Sequence, residues 1–366
     1  MKKQLIVLYE EDKINPKNTW SGTSYQLRES LNEYYDVIFI DSKDSAFASI
    51  IKKISKKIER KTASYFFKPL YEKLHEIEIN NKLKQYKDIP VLEICENVIV
   101  KNDFYLYRDM AYACYEYVHE KLKNDQNNYG HGMLNSLSKK ALENRIKREE
   151  KLEEKAKGIF FMGQWVVDLM KDKYPNMKDK FIYAGGGLNN EFVEYIKPNK
   201  EIDNTILFVG IDFKRKGGEL LLKTFKILKE QYNKEAKLII AGSNEIKKEE
   251  GITVLGKVDR KILCEYFNNS TVFCMPSRFE AYGLVFIEAL CFGLPIVSYD
   301  DFEMHYFVNK DNGYLINEYD EKKLAEALNE ALNNKSLINN VKNNSSKYIN
   351  DYSWSNVSKR IYEIIK

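Results

Sequence analysis

The sequence predicts an α/β protein of two Rossmann-like, doubly wound domains facing a cleft, with a C-terminal helix crossing back to the first domain. Three observations lead there. A chain of 366 residues is long for one domain core and short for three. Short β-branched runs alternate with helical patterns, which implies right-handed crossovers and parallel sheets. The polar stretch 195–204, YIKPNKEIDN, holds Pro198 and no apolar period, as a linker does. Domains are therefore expected at 1–197 and 198–350, with 351–366 as the terminal helix.

In the first half QLIVLY is a strand, SGTSYQLRESLNEY a loop entering a helix, and DVIFID a second strand. A helical stretch runs from about Ala46 to Tyr86, interrupted at Pro69, and is followed by strand candidates PVLEIC and DFYLYRD. Ser138 to Lys157 reads as a charged, mostly solvated helix, after which GIFFMGQW and KFIYAGGGLN return to strand pattern. In the second half TILFVG, KLIIAG, ITVLG, TVFCMPS, PIVSYD and GYLI read as strands, with helices in GELLLKTFKILKEQY, RKILCEYFNN and LVFIEALCFG. YSWSNVSKRIYEIIK reads as the terminal helix, and its Trp354 implies a docked face.

Composition removes several classes. The 58 basic and 54 acidic residues leave a net charge of +4, too small for nucleic-acid binding without a concentrated patch. The five cysteines show no C-x-x-C spacing and sit in apolar patterns, which suits a reducing cytoplasm. The apolar part of MKKQLIVLYEEDK is too short for a signal peptide, and no run of apolar residues is long enough to span a bilayer. A cytoplasmic protein is expected, meeting a membrane only from its surface. The stretch Ile50 to Lys61, IIKKISKKIERK, sets Ile50, Ile54 and Ile58 on one helical face among six cations, so residues 50–67, with Tyr65, Phe66 and Phe67, are a candidate contact with anionic lipid. A core-packed helix with a solvated basic side explains the same pattern.

The segment SRFEAYGLVFIEALCFGLPIVSYD carries the strongest chemical signal. A helix beginning near Gly283 leaves the N–H groups of Gly283, Leu284 and Val285 as donors at a positive dipole end, suited to a phosphate. Glu288 lies one and a half turns further on, flanked by Phe286, Ile287, Ala289 and Leu290, where an acid rarely sits without a partner. Its carboxylate can accept from two ribose hydroxyls, and Glu280, before the helix, from hydroxyls of the group beyond the phosphates. In FVGIDFKRKGGELLL, Arg215 and Lys216 stand beside a helix opened by two glycines, where two cations can hold a diphosphate and stabilise it as it leaves.

These motifs together resemble the donor domain of retaining glycosyltransferases with the GT-B fold, most of all the large family-four group known as glycosyl transferases group 1. The resemblance runs from about Thr205 to Ser298. It rests on strand-G-x(5)-K-G at Gly210 to Gly217, G-x-V at Gly256 to Val258, P-S-x(2)-E-x(7)-E-A at Pro276 to Ala289, and G-x-P-I-V at Gly293 to Val297. It implies that Glu288 binds the nucleotide ribose and Glu280 the transferred sugar. Lys216 and Arg215 would hold the diphosphate, the backbone near Lys257 and Val258 would face the base, and Gly210 and Tyr282 would complete the donor site. Many members carry Arg directly after the strand glycine, where this chain has Ile211; Arg215 is expected to supply the missing guanidinium.

The first half resembles an acceptor domain in layout alone. Gly22, in Trp20-Ser21-Gly22-Thr23, lies where such enzymes bring a small-residue loop to the donor phosphates, although a capped helix start reads equally well. Asp109 after FYLYR is a candidate to meet an acceptor hydroxyl or to cap a helix. Gly185 to Gly187 line a cleft or form a turn, and His131 in YGHGM is a loop histidine with a bland reading. No inverting base stands out, which suits a retaining reaction. No D-x-D occurs, so neither a metal nor a cofactor is required beyond the nucleoside diphosphate sugar.

The leading expectation is transfer of a hexose-type sugar from such a donor to a glycan, lipid-linked or protein acceptor, in bacterial surface polysaccharide or glycoconjugate synthesis. A catalytically inactive GT-B subunit that stabilises another transferase is the alternative. A sugar-nucleotide epimerase or a phosphorylase stands behind both. The absence of G-x-G-x-x-G after the first strand removes dinucleotide dehydrogenases.

Overall fold

The computed structural model describes residues 2–62, 68–122, 138–197, 204–244, 246 and 249–365. They form two compact units: the first takes in the chain up to 122, then 138–186 and 354–365, and the second 187–353.

The first unit holds strands β1 (Lys3–Tyr9), β2 (Tyr35–Asp41), β3 (Val91–Ile94), β4 (Phe104–Arg108), β5 (Gly158–Phe161) and β6 (Phe181–Tyr183), all parallel, in the order β2-β1-β3-β4-β5-β6. The second holds β7 (Thr205–Val209), β8 (Lys237–Ala241), β9 (Ile252–Gly256), β10 (Val272–Cys274), β11 (Ile296–Tyr299) and β12 (Gly313–Ile316), again parallel, in the order β12-β11-β10-β7-β8-β9. Central strands of such sheets are covered on both faces and read as continuous apolar runs. Leu5 to Leu8 in β1 and Ile206 to Phe208 in β7 are accordingly fully buried. In each sheet the chain winds outward on one side and then returns to the other, so the order reverses between β1 and β3 and between β7 and β10. Ligands of open α/β sheets bind beyond the strand carboxyl ends at that reversal.

The terminal helix Trp354–Ile364 belongs to the first unit. It packs on the helix Thr23–Leu31, buries Trp354, Val357 and Ile361, and joins Ser358 Oγ to Ser30 Oγ at 2.9 Å. Arg360 Nε donates to the Ala184 carbonyl at 2.7 Å, and the Tyr107 hydroxyl donates to the Gly185 carbonyl at 2.7 Å. Gly185, at φ +77°, is thus held in place as the chain leaves the unit.

Two expectations need correction, and the expected interruption of the helical stretch at Pro69 is found. The stretch around 195–197 is polar but not a free linker: Asn268 donates to the Tyr195 carbonyl at 2.7 Å and accepts from the Lys197 N–H at 2.8 Å, so the second unit begins at Gly187. The helix Lys139–Lys155, capped by Ser138, is not simply solvated. It turns Glu149 and Glu153 inward onto the buried Arg108. The stretch from Ala46 forms two helices, Ala46–Thr62 and Lys68–Lys82, with Pro69 in the first turn of the second, where its missing N–H costs nothing.

Candidate active site

The carboxyl ends of β7 and β10 converge in the second unit. The loop after β7 crosses under Pro276 so closely that a Cβ on Gly217 would lie 2.1 Å from the Pro276 carbonyl oxygen; with φ +79°, only glycine fits. Gly210 is bare for a related reason, since a Cβ there would meet Lys216 Cδ at 2.4 Å. The loop thereby lays Lys216 back across the end of its own strand.

Lys216 Nζ then stands 3.0 Å and Arg215 Nη1 3.2 Å from the same oxygen, Glu280 Oε1. Arg215 also donates to the Phe279 carbonyl at 2.8 Å and pairs with Asp212 at 3.2 Å. Ser277 Oγ donates to Glu280 Oε1 at 3.1 Å. Burial alone would raise the Glu280 pKa, but Lys216 and then Arg215 outweigh it and hold the carboxyl below its ordinary range. Glu280 is an ionised acceptor, and each cation keeps further N–H groups for a ligand.

The helix Leu284–Cys291 starts at Gly283, φ +94°, with no side-chain cap. The N–H groups of Gly283, Leu284 and Val285 make no hydrogen bond among the described residues, so the positive end of the helix is open to an anion. Further along, the Glu288 carboxylate has no hydrogen bond or ion pair among the described residues. Burial pushes its pKa up to about 7, against the pull of Arg260 and Lys216. An acid left unpaired in an apolar helix at a positive site is poised for hydroxyl donors from outside the protein.

The other proposed donor contacts differ in kind. Lys257 is exposed and Val258 half-buried just beyond β9. The Tyr282 side chain is buried edge-on against Phe307 at 5.0 Å. Ile211 is 77% exposed on the loop after β7, and the nearby guanidinium is that of Arg215.

In the first unit Gly22, at φ 95°, caps the helix Thr23–Leu31 after two further left-handed residues, Trp20 and Ser21. Asp109 lies half-buried beyond β4, beside Cys95. His131 lies outside the described residues.

A cavity of about 710 Å³ that no sequence motif marks lies beyond β1 and β3, where the order of the first sheet reverses. Its floor is a cluster from five segments, the loops after β1, β2 and β3 and the helices Ala46–Thr62 and Lys68–Lys82. His75 Nδ1 is 2.8 Å from Asp44 Oδ1, a close ion contact without hydrogen-bond alignment, and its Nε2 is 3.7 Å from Glu96 Oε2. Lys52 Nζ bridges Asp44 at 2.9 Å and Glu10 at 3.2 Å, while the Tyr71 hydroxyl lies 3.2 Å from both Asp44 oxygens. Burial would lower the His75 pKa, but Glu96 and then Asp44 prevail and raise it. The one available signal was positional: Glu10, Asp44 and Glu96 closely follow the carboxyl ends of β1, β2 and β3.

With the geometry in view, residues 191–348 match the family described as glycosyl transferases group 1. A Haemophilus influenzae protein named as an uncharacterized glycosyltransferase is 31% identical over 215 residues, 52% of this chain and 60% of its own. The capsular polysaccharide biosynthesis glycosyltransferase CapM of Staphylococcus aureus is 28% identical over 160 residues, 40% of this chain and 42% of its own. The chain thus spans about half of the length of the curated relatives that it matches. The crystal structure of WaaG, described as a glycosyltransferase involved in lipopolysaccharide biosynthesis, superposes with TM-score 0.65 at 15% identity, covering 99% of both chains. The second half of the chain is thus similar to the glycosyl transferases group 1, and the chain's two parallel six-stranded sheets are those of the GT-B fold.

Proposed function

We propose that the protein is a retaining glycosyltransferase that moves a hexose-type sugar from a nucleoside diphosphate sugar to a glycan, lipid-linked or protein acceptor, in polysaccharide or glycoconjugate synthesis. The observation that carries this reading is the Lys216-Arg215-Glu280 cluster beside an uncapped helix start and an unpaired Glu288. The second unit is the donor domain and the first the acceptor domain.

In this reading the diphosphate takes the spare N–H groups of Lys216 and Arg215 and those of Gly283 to Val285. Gly210 and Gly22 permit close backbone approach, and the backbone near Lys257 and Val258 faces the base. Glu288 accepts from the ribose, Glu280 from the sugar, and Asp109 from the acceptor hydroxyl. As the bond from the anomeric carbon to the diphosphate oxygen breaks, its charge is met by cations already in place. The acceptor oxygen bonds to the same carbon on the same face and passes its proton to the departing diphosphate. No metal and no cofactor is assigned a part.

Peripheral membrane contact through 50–67 belongs to the same proposal. Phe47, Ile50 and Ile54 are exposed on the helix Ala46–Thr62, with Lys53 and Lys57 exposed beside them. Tyr65, Phe66 and Phe67 lie outside the described residues. No helix among the described residues is long and apolar enough to cross a membrane.

The test is incubation with a panel of nucleotide sugars, in EDTA, with acceptor extracts and detection of nucleoside diphosphate. Release with one donor, abolished in Glu280→Gln, supports the enzyme. Donor binding without release under any condition would favour a non-catalytic partner subunit.

A further inference from the structure

A second cavity, of about 730 Å³, lies in the second unit beside the loop 308–312 that leads into β12, at the amino end of that strand. The Lys216-Arg215-Glu280 cluster stands beyond the carboxyl ends of β7 and β10, so the two places are separate. Asparagines build the cavity wall. Asn309 Oδ1 accepts from the Asp311 N–H, while Asn312 accepts from the Asn309 N–H and donates to the Phe307 carbonyl, each at 2.8 Å, and these bonds lock the loop. From the helix Lys335–Asn343, Asn340 donates to the Asp311 carbonyl at 2.7 Å, and Asn344 donates to the Asn340 carbonyl at 2.8 Å. The amides are therefore held in place before any ligand arrives.

Four charged side chains line the same space: Lys310 and Asp311 from the loop, and Lys347 and Asp351 from the helix Ser345–Asp351. None of the four side chains makes an ion pair or a hydrogen bond among the described residues. Two cations against two acids leave no excess of either sign, so the lining selects neither an anion nor a cation, and it is too polar for an apolar ligand. Carboxylates accept, ammonium groups donate and amides do both, which matches a ligand whose closely spaced hydroxyls also do both. Tyr306, 43% exposed on the helix Met304–Phe307, adds a ring for the apolar face of a sugar. A phosphate would call for a surplus of cations, and a peptide for an open strand edge or an apolar groove.

We propose that this cavity binds a segment of a neutral glycan chain, with its hydroxyls against Asp311, Asp351 and Asn340 and one ring against Tyr306. As a second hold on a glycan it fits the proposed enzyme, but as a binding site it stands apart from that reading.

The full chain would be titrated calorimetrically with the hexasaccharides of the maltose, cellulose and chitin series, with their monosaccharides, and with hexagalacturonate. The double variant Asp311→Ala, Asp351→Ala is the main one because both side chains are exposed, so its melting temperature should match that of the wild type. Tyr306→Ala is the second variant, and Glu10→Ala controls for sugar held in the first unit. At least one neutral hexasaccharide should bind about tenfold or more tightly than its monosaccharide, lose about tenfold in the double variant, weaken in Tyr306→Ala, and keep its affinity in Glu10→Ala. No preference for any hexasaccharide over its monosaccharide, a loss confined to Glu10→Ala, or hexagalacturonate binding more tightly than every neutral chain overturns the proposal. Nucleotide-sugar turnover is scored separately: its absence with hexasaccharide binding intact sinks the enzyme reading and leaves the site, and the converse sinks the site alone.

Discussion

Lys216 Nζ and Glu280 Oε1 stand 3.0 Å apart, and the same oxygen also takes Arg215 at 3.2 Å. Glu280 thus sets the position of both cations while keeping its second oxygen for a ligand. Glu280→Gln keeps the shape and should leave nucleoside diphosphate affinity within about twofold, while turnover falls by about a hundredfold or more through misplacement of the sugar. Glu288→Ala should weaken diphosphate and intact donor alike, by about 1.5–3 kcal/mol, since both ligands contain the ribose. Calorimetry of both variants with both ligands checks the division. Equal diphosphate losses would overturn this division of roles.

Glu288 also predicts a pH dependence. Its folded pKa, about 7, lies above the ordinary 4.5, so the folded state holds a proton that the unfolded chain releases. Its stabilising effect is therefore full below pH 4.5 and is lost as pH rises through 7. Glu288→Gln should stabilise the free protein at pH 8 by on the order of 2–3 kcal/mol and leave it nearly unchanged at pH 4.5. Diphosphate affinity of the wild type should rise over the same interval, because ribose hydroxyls donate to the ionised form. Urea unfolding and binding at pH 5 and 8 measure both.

The donor-side geometry was legible because it is local. Gly210, Lys216 and Gly217 lie within one loop, Glu280 and Glu288 within one turn and helix, and an acid among Phe286, Ile287, Ala289 and Leu290 betrays itself. The cavity of the first unit was not legible, because Glu10, Asp44, His75 and Glu96 come together only through the order β2-β1-β3. The linker misled for a different reason: polarity marks solvent access, whereas the Asn268 hydrogen bonds that tie down Tyr195 and Lys197 leave no trace in hydropathy.

On the helix Ala46–Thr62 the structure divides the lysines. Lys52 and Lys56 line the cavity, and Lys53 and Lys57 stay exposed near Phe47 and Ile50. Ile50→Glu, at a side chain 55% exposed, should leave the melting temperature unchanged and abolish flotation with anionic vesicles. Flotation that is the same for neutral and anionic vesicles, or for variant and wild type, would remove this face from any membrane role.

His75 makes the opposite prediction to Glu288 in chemical type but not in sign. Glu96 and Asp44 raise its pKa above the ordinary 6.5, so the folded state favours the imidazolium. That stability is full below pH 6.5 and is lost as pH rises through the folded value. The loss in His75→Gln should therefore be largest near pH 6 and shrink toward pH 9. A stability difference that is flat with pH would mean that His75 acts there by packing alone.

Trp354 tests how the terminal helix is held. It is 2% exposed, and its indole N–H is buried with no hydrogen-bond partner among the described residues. Its contribution must then come from apolar area and shape, with the unsatisfied donor subtracting from it. Trp354→Ala should cost about 3–5 kcal/mol by leaving a cavity. Trp354→Phe loses some volume but also the stranded donor, so the two effects offset and the net cost should stay below about 1.5 kcal/mol. Removing residues 354–366 altogether also takes away the Ser358 contact with Ser30 and the Arg360 contact with the Ala184 carbonyl, which hold the helix Thr23–Leu31 and the strand end at Gly185. That truncation should lower the melting temperature more than Trp354→Ala does. A truncated protein with wild-type melting temperature and activity would show that the first unit keeps its structure without the returning helix.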